Sequence, residues 1–198
     1  MIKFNNISTE SPYVLFKDLY NSAVEASQKN IEAVCIGSYS KKDQEVNARF
    51  VNLKFVNANE FIFFSNYKSL KAKDFISNNQ IVAVIYWNSI DVQIRMKSKI
   101  HKLSQEFNQA YFAKRDMQKN ALAISSQQSQ SIESYEAVKK NFNESLESAN
   151  LTKCPEYWGG YSFIPYSFEF WKGHGSRINK REIYKLQNGC WTNSYLQP

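Results

Sequence analysis

The sequence contains few cysteines, histidines, glycines and prolines. Its 198 residues include three cysteines, two histidines, six glycines and four prolines. An odd number of cysteines without a CxxC pair argues against a disulfide scaffold, and two histidines cannot form a His-rich metal centre. We therefore predict free thiols and no metal site.

Long apolar segments and glycine-rich phosphate loops are also missing. No run approaches the roughly 18 apolar residues that cross a bilayer, and the N-terminus lacks the apolar core of a secretory signal. Neither GxGxxG nor GxxxxGK[ST] occurs, so any phosphate must be bound by side chains. No Ser/His/Asp set or carboxylate pair indicates a hydrolase. We expect a soluble, cytoplasmic protein without a membrane partner.

Basic and aromatic residues are plentiful. Lys and Arg number 25 against 18 Asp and Glu, a formal charge of +7, and aromatic residues make up 15% of the chain. Such a charge suits either a nucleic acid or a phosphorylated small molecule. The basic residues are spread along the chain and do not form one block, which favours the phosphorylated small molecule. We therefore predict no nucleic-acid partner and keep nucleic-acid binding as the weaker of the two alternatives.

Apolar spacing predicts a single α+β domain over 1–198. Helical periodicity predicts helices at 13–29, 69–78, 104–113 and 131–146. Runs of β-branched and aromatic residues predict strands at 31–38, 46–56, 60–65, 81–87, 92–103, 157–171, 182–187 and 190–195. The arrangement indicates a mainly antiparallel, barrel-like sheet with a core at about 31–103, a helical middle at 104–150 and C-terminal strands at 157–198.

Local signals add three details to this prediction. Ser69 is expected to cap the short second helix, and Asn188-Gly189 to form a two-residue hairpin turn. Segment 115–130 is rich in Gln and Ser but keeps several apolar residues, so we expect it to be ordered.

The first candidate cluster is basic and consists of Arg49, Lys54 and Lys71. Arg49 and Lys54 have opposite parity on the predicted strand 46–56, so their side chains should face opposite sides. They can contact one ligand only if the strand bends, or if the ligand lies at its end or across an interface. Lys71 is in the first turn of a predicted helix, where backbone N–H groups favour an anion. The alternative is three solvated residues on a half-exposed sheet.

The second candidate cluster is the pair Arg177 and Arg181, which follows Trp171 and the tight sequence Gly173-His174-Gly175. An aromatic ring followed by two guanidinium groups suits a planar anionic ligand, through stacking and forked hydrogen bonds. The alternative is an exposed hairpin loop with an ordinary core Trp171. His174 itself is expected to be a solvent-facing turn residue and not a catalytic base.

The third candidate cluster is Tyr111 with Arg115, four residues apart at a helix end, followed by Gln127-Gln128-Ser129. A phenol and a guanidinium on one helix face can bind a phosphate together, and an amide and a hydroxyl can hold polar edges. The alternative is a surface helix with a cation–aromatic pair.

In this order, the clusters resemble the motifs of the pyridoxine (pyridoxamine) 5′-phosphate oxidase family of flavin enzymes. The matching segments, which cover most of the chain, are 49–54 (RFVNLK), 63–71 (FFSNYKSLK), 86–87 with 92–95 (YW, VQIR), 111–115 (YFAKR), 127–129 (QQS), 158–161 (WGGY), 168–173 (FEFWKG) and 177–181 (RINKR). The C-terminal segments are the most specific of these.

The resemblance implies an FMN-binding split barrel, a homodimer with each FMN at the subunit interface, and a phosphorylated B6 vitamer as substrate. The residues implied to bind FMN are Arg49, Lys54, Phe64, Ser65, Lys71, Gln93, Gln128, Ser129, Trp171 and Arg181. Those implied at the substrate are Lys54, Tyr111, Arg115, Lys119 and Arg177, with Arg177 and Asn179 at the catalytic centre. The implied reaction passes a hydride from the substrate C4′ to flavin N5, and oxygen then reoxidises the flavin to give pyridoxal 5′-phosphate and hydrogen peroxide.

Of the positions that depart from the family pattern, three bear on the implied site residues. Leu70 replaces an arginine beside the phosphate-binding lysine, Lys119 replaces a serine, and Asn179 replaces a histidine paired with Arg177. Asn can hydrogen-bond but does not titrate near pH 7. Two alternatives therefore stay open: an FMN barrel that oxidises another compound, as the phenazine-biosynthesis flavoproteins do, or a flavin-binding protein with a decayed site.

Overall fold

A computed structural model describes all 198 residues. It contains ten strands and five helices, in the α+β class predicted from the sequence. The strands are β1 Lys3–Asn5, β2 Ala33–Ser40, β3 Glu45–Asn52, β4 Phe55–Asn57, β5 Glu60–Asn66, β6 Gln80–Trp87, β7 Val92–Lys102, β8 Trp158–Lys172, β9 Lys180–Gln187 and β10 Cys190–Leu196. The helices are α1 Ser11–Glu25, α2 Leu70–Ser77, α3 Gln105–Ala113, α4 Met117–Ser125 and α5 Tyr135–Ser148.

All ten strands belong to one sheet. Its main path runs β1-β4-β5-β8-β7-β6-β2-β3, while β9 pairs with β8 and β10 pairs with β9. Every pairing is antiparallel except that of β1 with β4. The long strand β8 pairs with β7 along one edge, while its other edge pairs first with β5 and then with β9. Strand β8 therefore joins the barrel strands to the C-terminal hairpin.

The core is built where α1 packs against the sheet. Pro12 occupies the first turn of α1, where its missing N–H costs nothing. The buried residues Tyr13, Phe16, Tyr20 and Ala23 are three or four apart and so share one face. Phe16 lies edge-on to Phe61 of β5 at 5.0 Å between ring centroids. Burial of these rings holds α1 against the sheet.

The predicted strand 46–56 is wrong as one element, because the chain changes sheet partners at Leu53 and Lys54. Strand β3 pairs with β2, whereas β4 pairs with β5. The Leu53 N–H donates to the Glu32 carbonyl, and the Lys54 N–H donates to the Ile62 carbonyl. The fully buried Leu53 side chain anchors the break in the core. Apolar alternation does not reveal this change of partner.

The ends and caps of several elements also differ from the prediction. Ser69 precedes α2 at the N-cap position, but its hydroxyl donates to the Asn66 carbonyl and makes no cap bond. Helix α1 ends at Glu25, before the positive φ of Ser27 (54°). Strand β1 and helix α4 were not predicted as elements; β1 is formed by pairing with β4, and Asp116 caps α4.

The predicted hairpin turn agrees with the structure. The turn Asn188-Gly189 joins β9 to β10, and both residues have positive φ, at 50° and 80°. The cysteines Cys35, Cys154 and Cys190 are unpaired. None of the five helices is long and apolar enough to span a membrane.

We expect Phe61→Ala to destabilise the protein by about 3–5 kcal/mol, because it opens a cavity among packed rings. Phe61 is fully buried and contacts Tyr13, Phe16 and Phe163. Urea unfolding measures the change. The matched aromatic truncation Tyr135→Ala, at a side chain that is 71% exposed, should change stability by at most about 0.5 kcal/mol. Equal losses in the two variants would contradict this description of the core.

Candidate active site

A large cavity lies between the β3–β5 region of the sheet and helices α2, α3 and α4, with a volume of about 920 Å³. It brings together ten of the residues singled out from the sequence. These residues are Arg49, Lys54, Phe64, Ser65, Lys71, Tyr111, Arg115, Lys119, Gln128 and Ser129. Segments far apart in the chain therefore form one site.

Arg49 and Lys54 reach the same cavity in spite of their opposite parity. Arg49 is within β3, whereas Lys54 follows the break after Asn52 and precedes β4. The break reorients the backbone between the two residues, so the alternation of a continuous strand does not apply. The sequence left open a bent strand, a ligand at the strand end or a ligand across an interface. The structure shows a change of backbone direction, which brings Arg49 and Lys54 of the same chain to one cavity.

The inner end of the cavity contains a buried ammonium group, that of Lys71. Its Nζ donates to Ser65 Oγ at 3.0 Å, Gln128 Oε1 at 3.2 Å and Ser69 Oγ at 3.3 Å. Lys71 forms no ion pair with a carboxylate. Burial, and secondarily the charge of Arg49, lower the pKa of Lys71 to about 8. An anion at this position would restore the lost stabilisation of the charge.

Arg49 lies beside Lys71 and is held rigidly. Its Nη1 donates to Ser38 Oγ at 2.6 Å and to the Ile36 carbonyl at 3.2 Å. Its Nη2 lies 3.6 Å from the buried Asp74 carboxylate, which also accepts from Ser38. Burial lowers the pKa of Arg49, and the Asp74 charge opposes that shift. The guanidinium is therefore oriented before any ligand arrives.

The outer end of the cavity carries a second group of cations: Lys54, Arg115 and Lys119. Burial lowers the pKa of Lys54, Glu32 opposes this, and the charges of Lys119 and Arg115 lower it further. None of the three cations forms an ion pair. Asp116 is the single acidic residue lining the cavity, and its Oδ1 accepts from the Lys119 backbone N–H. The outer end therefore keeps uncompensated positive charge.

Aromatic rings form a wall of the cavity. The rings of Phe64 and Tyr111 stack at 3.8 Å between centroids and 10° between planes, and Phe64 stacks on Trp158 at 5.2 Å and 11°. Burial raises the pKa of Tyr111 and keeps its phenol neutral. Sequence reasoning did not assign Trp158 to the site, although its motif 158–161 was recognised. Lys3 and Lys114 also line the cavity; Lys3 carried no sequence signal, and Lys114 lies within the recognised motif 111–115 but was not assigned to the site.

Five predicted site residues lie outside this cavity and form what we term the C-terminal patch: Gln93, Trp171, Arg177, Asn179 and Arg181. Gln93 of β7 pairs in register with Trp171 of β8, which pairs with Arg181 of β9. The Arg181 guanidinium donates through Nε and Nη2 to Oε1 of the buried Glu169, at 2.9 and 2.8 Å. Within one chain, the structure does not bring this patch to the cavity.

The loop 173–179 carries the two predicted catalytic residues of the C-terminal patch. Arg177 is exposed and has a positive φ of 66°. The Asn179 Oδ1 accepts from the His174 N–H at 3.0 Å, and the Arg177 N–H donates to the His174 carbonyl at 2.9 Å. Asn179 thus closes the loop that presents Arg177. His174 is a solvent-facing turn residue, as predicted.

The chemistry of the cavity favours anion binding. Its lining offers lysine and arginine charges, hydroxyls, an amide and stacked rings, but no histidine. The buried, unpaired Lys71 between two hydroxyls and an amide fits the phosphate of a cofactor such as FMN. Such a site provides binding and orientation, while a bound cofactor provides the redox chemistry.

Comparison with known proteins shows the family. The chain matches the family model described as pyridoxamine 5′-phosphate oxidase over residues 21–148. Residues 158–198 match a second model, the pyridoxine 5′-phosphate oxidase C-terminal dimerisation region. The pyridoxine/pyridoxamine 5′-phosphate oxidase 1 of Hydrogenovibrio crunogenus is 34% identical over 192 residues, covering 94% of this chain and 88% of that protein. The enzyme named pyridoxine/pyridoxamine 5′-phosphate oxidase in Leptospira biflexa is 33% identical over 190 residues, covering 94% and 89%.

Solved structures show the same fold. PhzG from Burkholderia lata 383, crystallised with tetrahydrophenazine-1-carboxylic acid, superposes with a TM-score of 0.90 at 22% identity, covering 96% of this chain and 93% of that chain. A pyridoxamine 5′-phosphate oxidase-related, FMN-binding protein from Nostoc punctiforme gives 0.79 at 12% identity, covering 92% and 97%. The mixed sheet is therefore a split barrel, as predicted. The chain belongs to the pyridoxamine 5′-phosphate oxidase family of FMN-dependent oxidoreductases.

Proposed function

We propose that this protein oxidises pyridoxamine or pyridoxine 5′-phosphate to pyridoxal 5′-phosphate, using FMN as cofactor and oxygen as electron acceptor. The observation that carries the proposal is the cavity with two groups of cations beside an aromatic wall, in which only Arg49 is paired with a carboxylate. FMN and a B6 phosphate each contain one phosphate and one planar aromatic system. The two cation groups and the wall match that pair of ligands.

The inner cations are assigned to FMN. Lys71 and Arg49 would bind its phosphate, with Ser65 and Gln128 as further hydrogen-bonding groups already in contact with Lys71. Phosphate oxygens accept charge-assisted hydrogen bonds, which are stronger than neutral ones. When bound, FMN supplies the hydride-accepting chemistry of the reaction. Leu70 lines the cavity where the family pattern places an arginine, so this chain has one phosphate donor fewer.

The outer cations are assigned to the substrate. Lys54, Arg115 and Lys119 would bind its phosphate together with the Tyr111 hydroxyl, since all four residues line the cavity, the charges of Lys119 and Arg115 act on Lys54, and that of Arg115 acts on Tyr111. A lysine at position 119 contributes charge without the fixed geometry of a hydroxyl. Binding the phosphate firmly orients the remote C4′ carbon, which accelerates the reaction by restricting the reacting groups.

A homodimer would complete the site. The C-terminal patch lies outside the cavity within one chain, and residues 158–198 match a dimerisation region. We propose that the partner subunit contributes this patch, with Gln93, Trp171 and Arg181 at FMN and the exposed loop with Arg177 at the substrate. The FMN would then lie at the subunit interface.

A related FMN barrel with another substrate is the second candidate. The PhzG structure has a TM-score of 0.90, and positions 70, 119 and 179 depart from the oxidase pattern. Purified protein with bound flavin should be bleached anaerobically by pyridoxamine and pyridoxine 5′-phosphates, and readmitted oxygen should restore the colour with release of hydrogen peroxide. Bound flavin that neither vitamer reduces would favour the second candidate. Failure to bind FMN at all would contradict both.

We expect FMN affinity to fall as pH rises above about 8, because Lys71 has a lowered pKa of about 8. Bound phosphate keeps the ammonium charged and raises its pKa, so binding takes up a proton above pH 8. Affinity should then fall by up to about tenfold per pH unit. Fluorescence titration between about pH 7 and pH 9 measures the change.

Lys71→Met should remove this pH dependence and weaken FMN binding by about 10- to 150-fold at neutral pH, the equivalent of about 1.5–3 kcal/mol. Lys73→Met is the matched control, because Lys73 is an exposed lysine of the same helix outside the cavity. The control should bind FMN like the parent. A pH dependence that persists in Lys71→Met would show that another group causes it.

The shared site predicts complementation between two variants that are each impaired when FMN is limiting. Lys71→Ala removes an inner cation, and Arg181→Ala removes a residue of the C-terminal patch. In a mixed dimer, one site would contain both changes and the other would contain neither. Random mixing should therefore restore about one quarter of the parent activity. No recovery, despite mass-spectrometric detection of mixed dimers, would contradict a site built from two subunits.

The substrate assignment predicts that Asn179→His raises kcat/KM for pyridoxamine 5′-phosphate by about tenfold, as about 1.4 kcal/mol of added transition-state binding would. Steady-state peroxide release measures it, and FMN affinity should not change. Asn179→Ala provides the comparison, because it also removes the bond to the His174 N–H. If both variants are slower than the parent, the loop bond of Asn179 matters more than a histidine at this position.

A further inference from the structure

Asn120 of α4 is a fully buried polar side chain at the edge of the site. Its Nδ2 donates to the carbonyls of Phe112 at 2.9 Å and Leu151 at 2.8 Å, and its Oδ1 accepts from Arg115 Nη1 at 2.9 Å. These partners leave one orientation of the amide, because two carbonyls need donors and a guanidinium needs an acceptor. Asn120 therefore connects the end of α3, the segment before β8 and Arg115.

Arg115 is fixed from two directions. Asn120 holds its Nη1, and the Trp158 ring lies against the guanidinium, with 5.0 Å between Cζ and the ring centroid. This cation–π contact adds to the orientation of the planar group. Arg115 lines the cavity and has no ion pair with a carboxylate. Its orientation is therefore imposed by uncharged partners.

The two cavity arginines differ in this respect. Arg49 lies 3.6 Å from the Asp74 carboxylate, which compensates part of its charge, and the neighbouring Lys71 stays unpaired. Arg115 is also positioned by a buried acceptor, but that acceptor is an amide oxygen. A neutral acceptor orients the guanidinium fork without cancelling its charge. No ion pair then takes up the Arg115 charge, on which Asp116 acts only at longer range, and the guanidinium remains available to an anion in the outer cavity.

We propose that Asn120 is a positioning residue that, with Trp158, holds Arg115 in place and uncompensated so that it binds the phosphate of the substrate. This inference rests on the proposed function for the identity of the anion. The Asn120 amide does not itself line the cavity. Under this proposal it nevertheless makes the site select a phosphorylated ligand over an unphosphorylated one, through Arg115.

The test compares pyridoxine 5′-phosphate with pyridoxine, titrated calorimetrically into anaerobic holoenzyme with reduced flavin, where no turnover occurs. Asn120→Ala should lower the affinity for pyridoxine 5′-phosphate about tenfold, as expected for loss of a hydrogen bond that positions a charged group. Pyridoxine affinity and FMN affinity should change less than about twofold. Asn120→Asp keeps an acceptor for Arg115 but adds a negative charge beside it. It should lower the affinity for pyridoxine 5′-phosphate at least as much as Asn120→Ala does.

A double-mutant cycle separates positioning from general structure. If Asn120 acts through Arg115, then Asn120→Ala should weaken phosphate binding by less than about twofold in an Arg115→Ala background. Asn108→Ala is the matched control, because Asn108 is also a buried asparagine, bonded to Tyr67 and the Gly160 N–H. It should lower thermal stability without changing selectivity for the phosphate.

Three results would overturn the assignment. Additive losses from Asn120→Ala and Arg115→Ala would show that the two residues act independently. Equal losses for pyridoxine and its phosphate would show a structural role alone. A parent protein that binds FMN but neither B6 ligand would overturn the proposed function, and with it the substrate assigned here. This outcome is distinguishable from the first two, because it is seen in the parent protein and not in the variants.

Discussion

The buried Lys71 ammonium, which has no carboxylate partner, is the constraint on which the site depends. A charge removed from water is costly unless hydrogen bonds or an opposite charge replace the solvent. Two hydroxyls and an amide meet part of that need. The lowered pKa, about 8 against 10.5 for a free lysine, reflects what they leave unmet. Between about pH 8 and pH 10.5 the unfolded chain binds more protons at this lysine than the folded protein does. The folded protein therefore becomes more stable as pH rises through this range, because the penalty for burying the charge is lost. A bound anion would remove the penalty and stabilise the folded protein.

The sheet places this charge by joining segments that are distant in sequence. Ser65 lies on β5, Lys71 begins the next helix, and Gln128 follows α4. The change of partner at Leu53 and Lys54 brings β3 and β4 to neighbouring parts of the same wall. Strand β8 supplies Trp158 at its start and Trp171 near its end, so one strand serves both the cavity and the C-terminal patch. The fold thus sets the spacing between the two cation groups.

The departures from the family pattern affect the two ends of the cavity differently. Leu70 is 57% exposed at the cavity, so the inner end lacks one guanidinium but keeps Lys71 and Arg49. Lys119 adds positive charge at the outer end, next to Arg115 and Lys54. Asn179 is engaged in closing the loop around His174. Positive charge at both ends of the cavity is therefore retained, as the proposed pair of phosphates requires, while position 179 holds a group that does not titrate near pH 7.

Most helices and strands, the α+β class and the motif positions followed from the sequence, because periodicity and turn chemistry act between near neighbours. The motifs identified ten cavity residues before their contacts were known. Tertiary structure decided the break at Leu53, the parallel pairing of β1, the neutral partner of Arg115 and the separation of the C-terminal patch from the cavity within one chain. Each depends on which distant group a backbone or side chain meets, and local propensity carries no information about that choice.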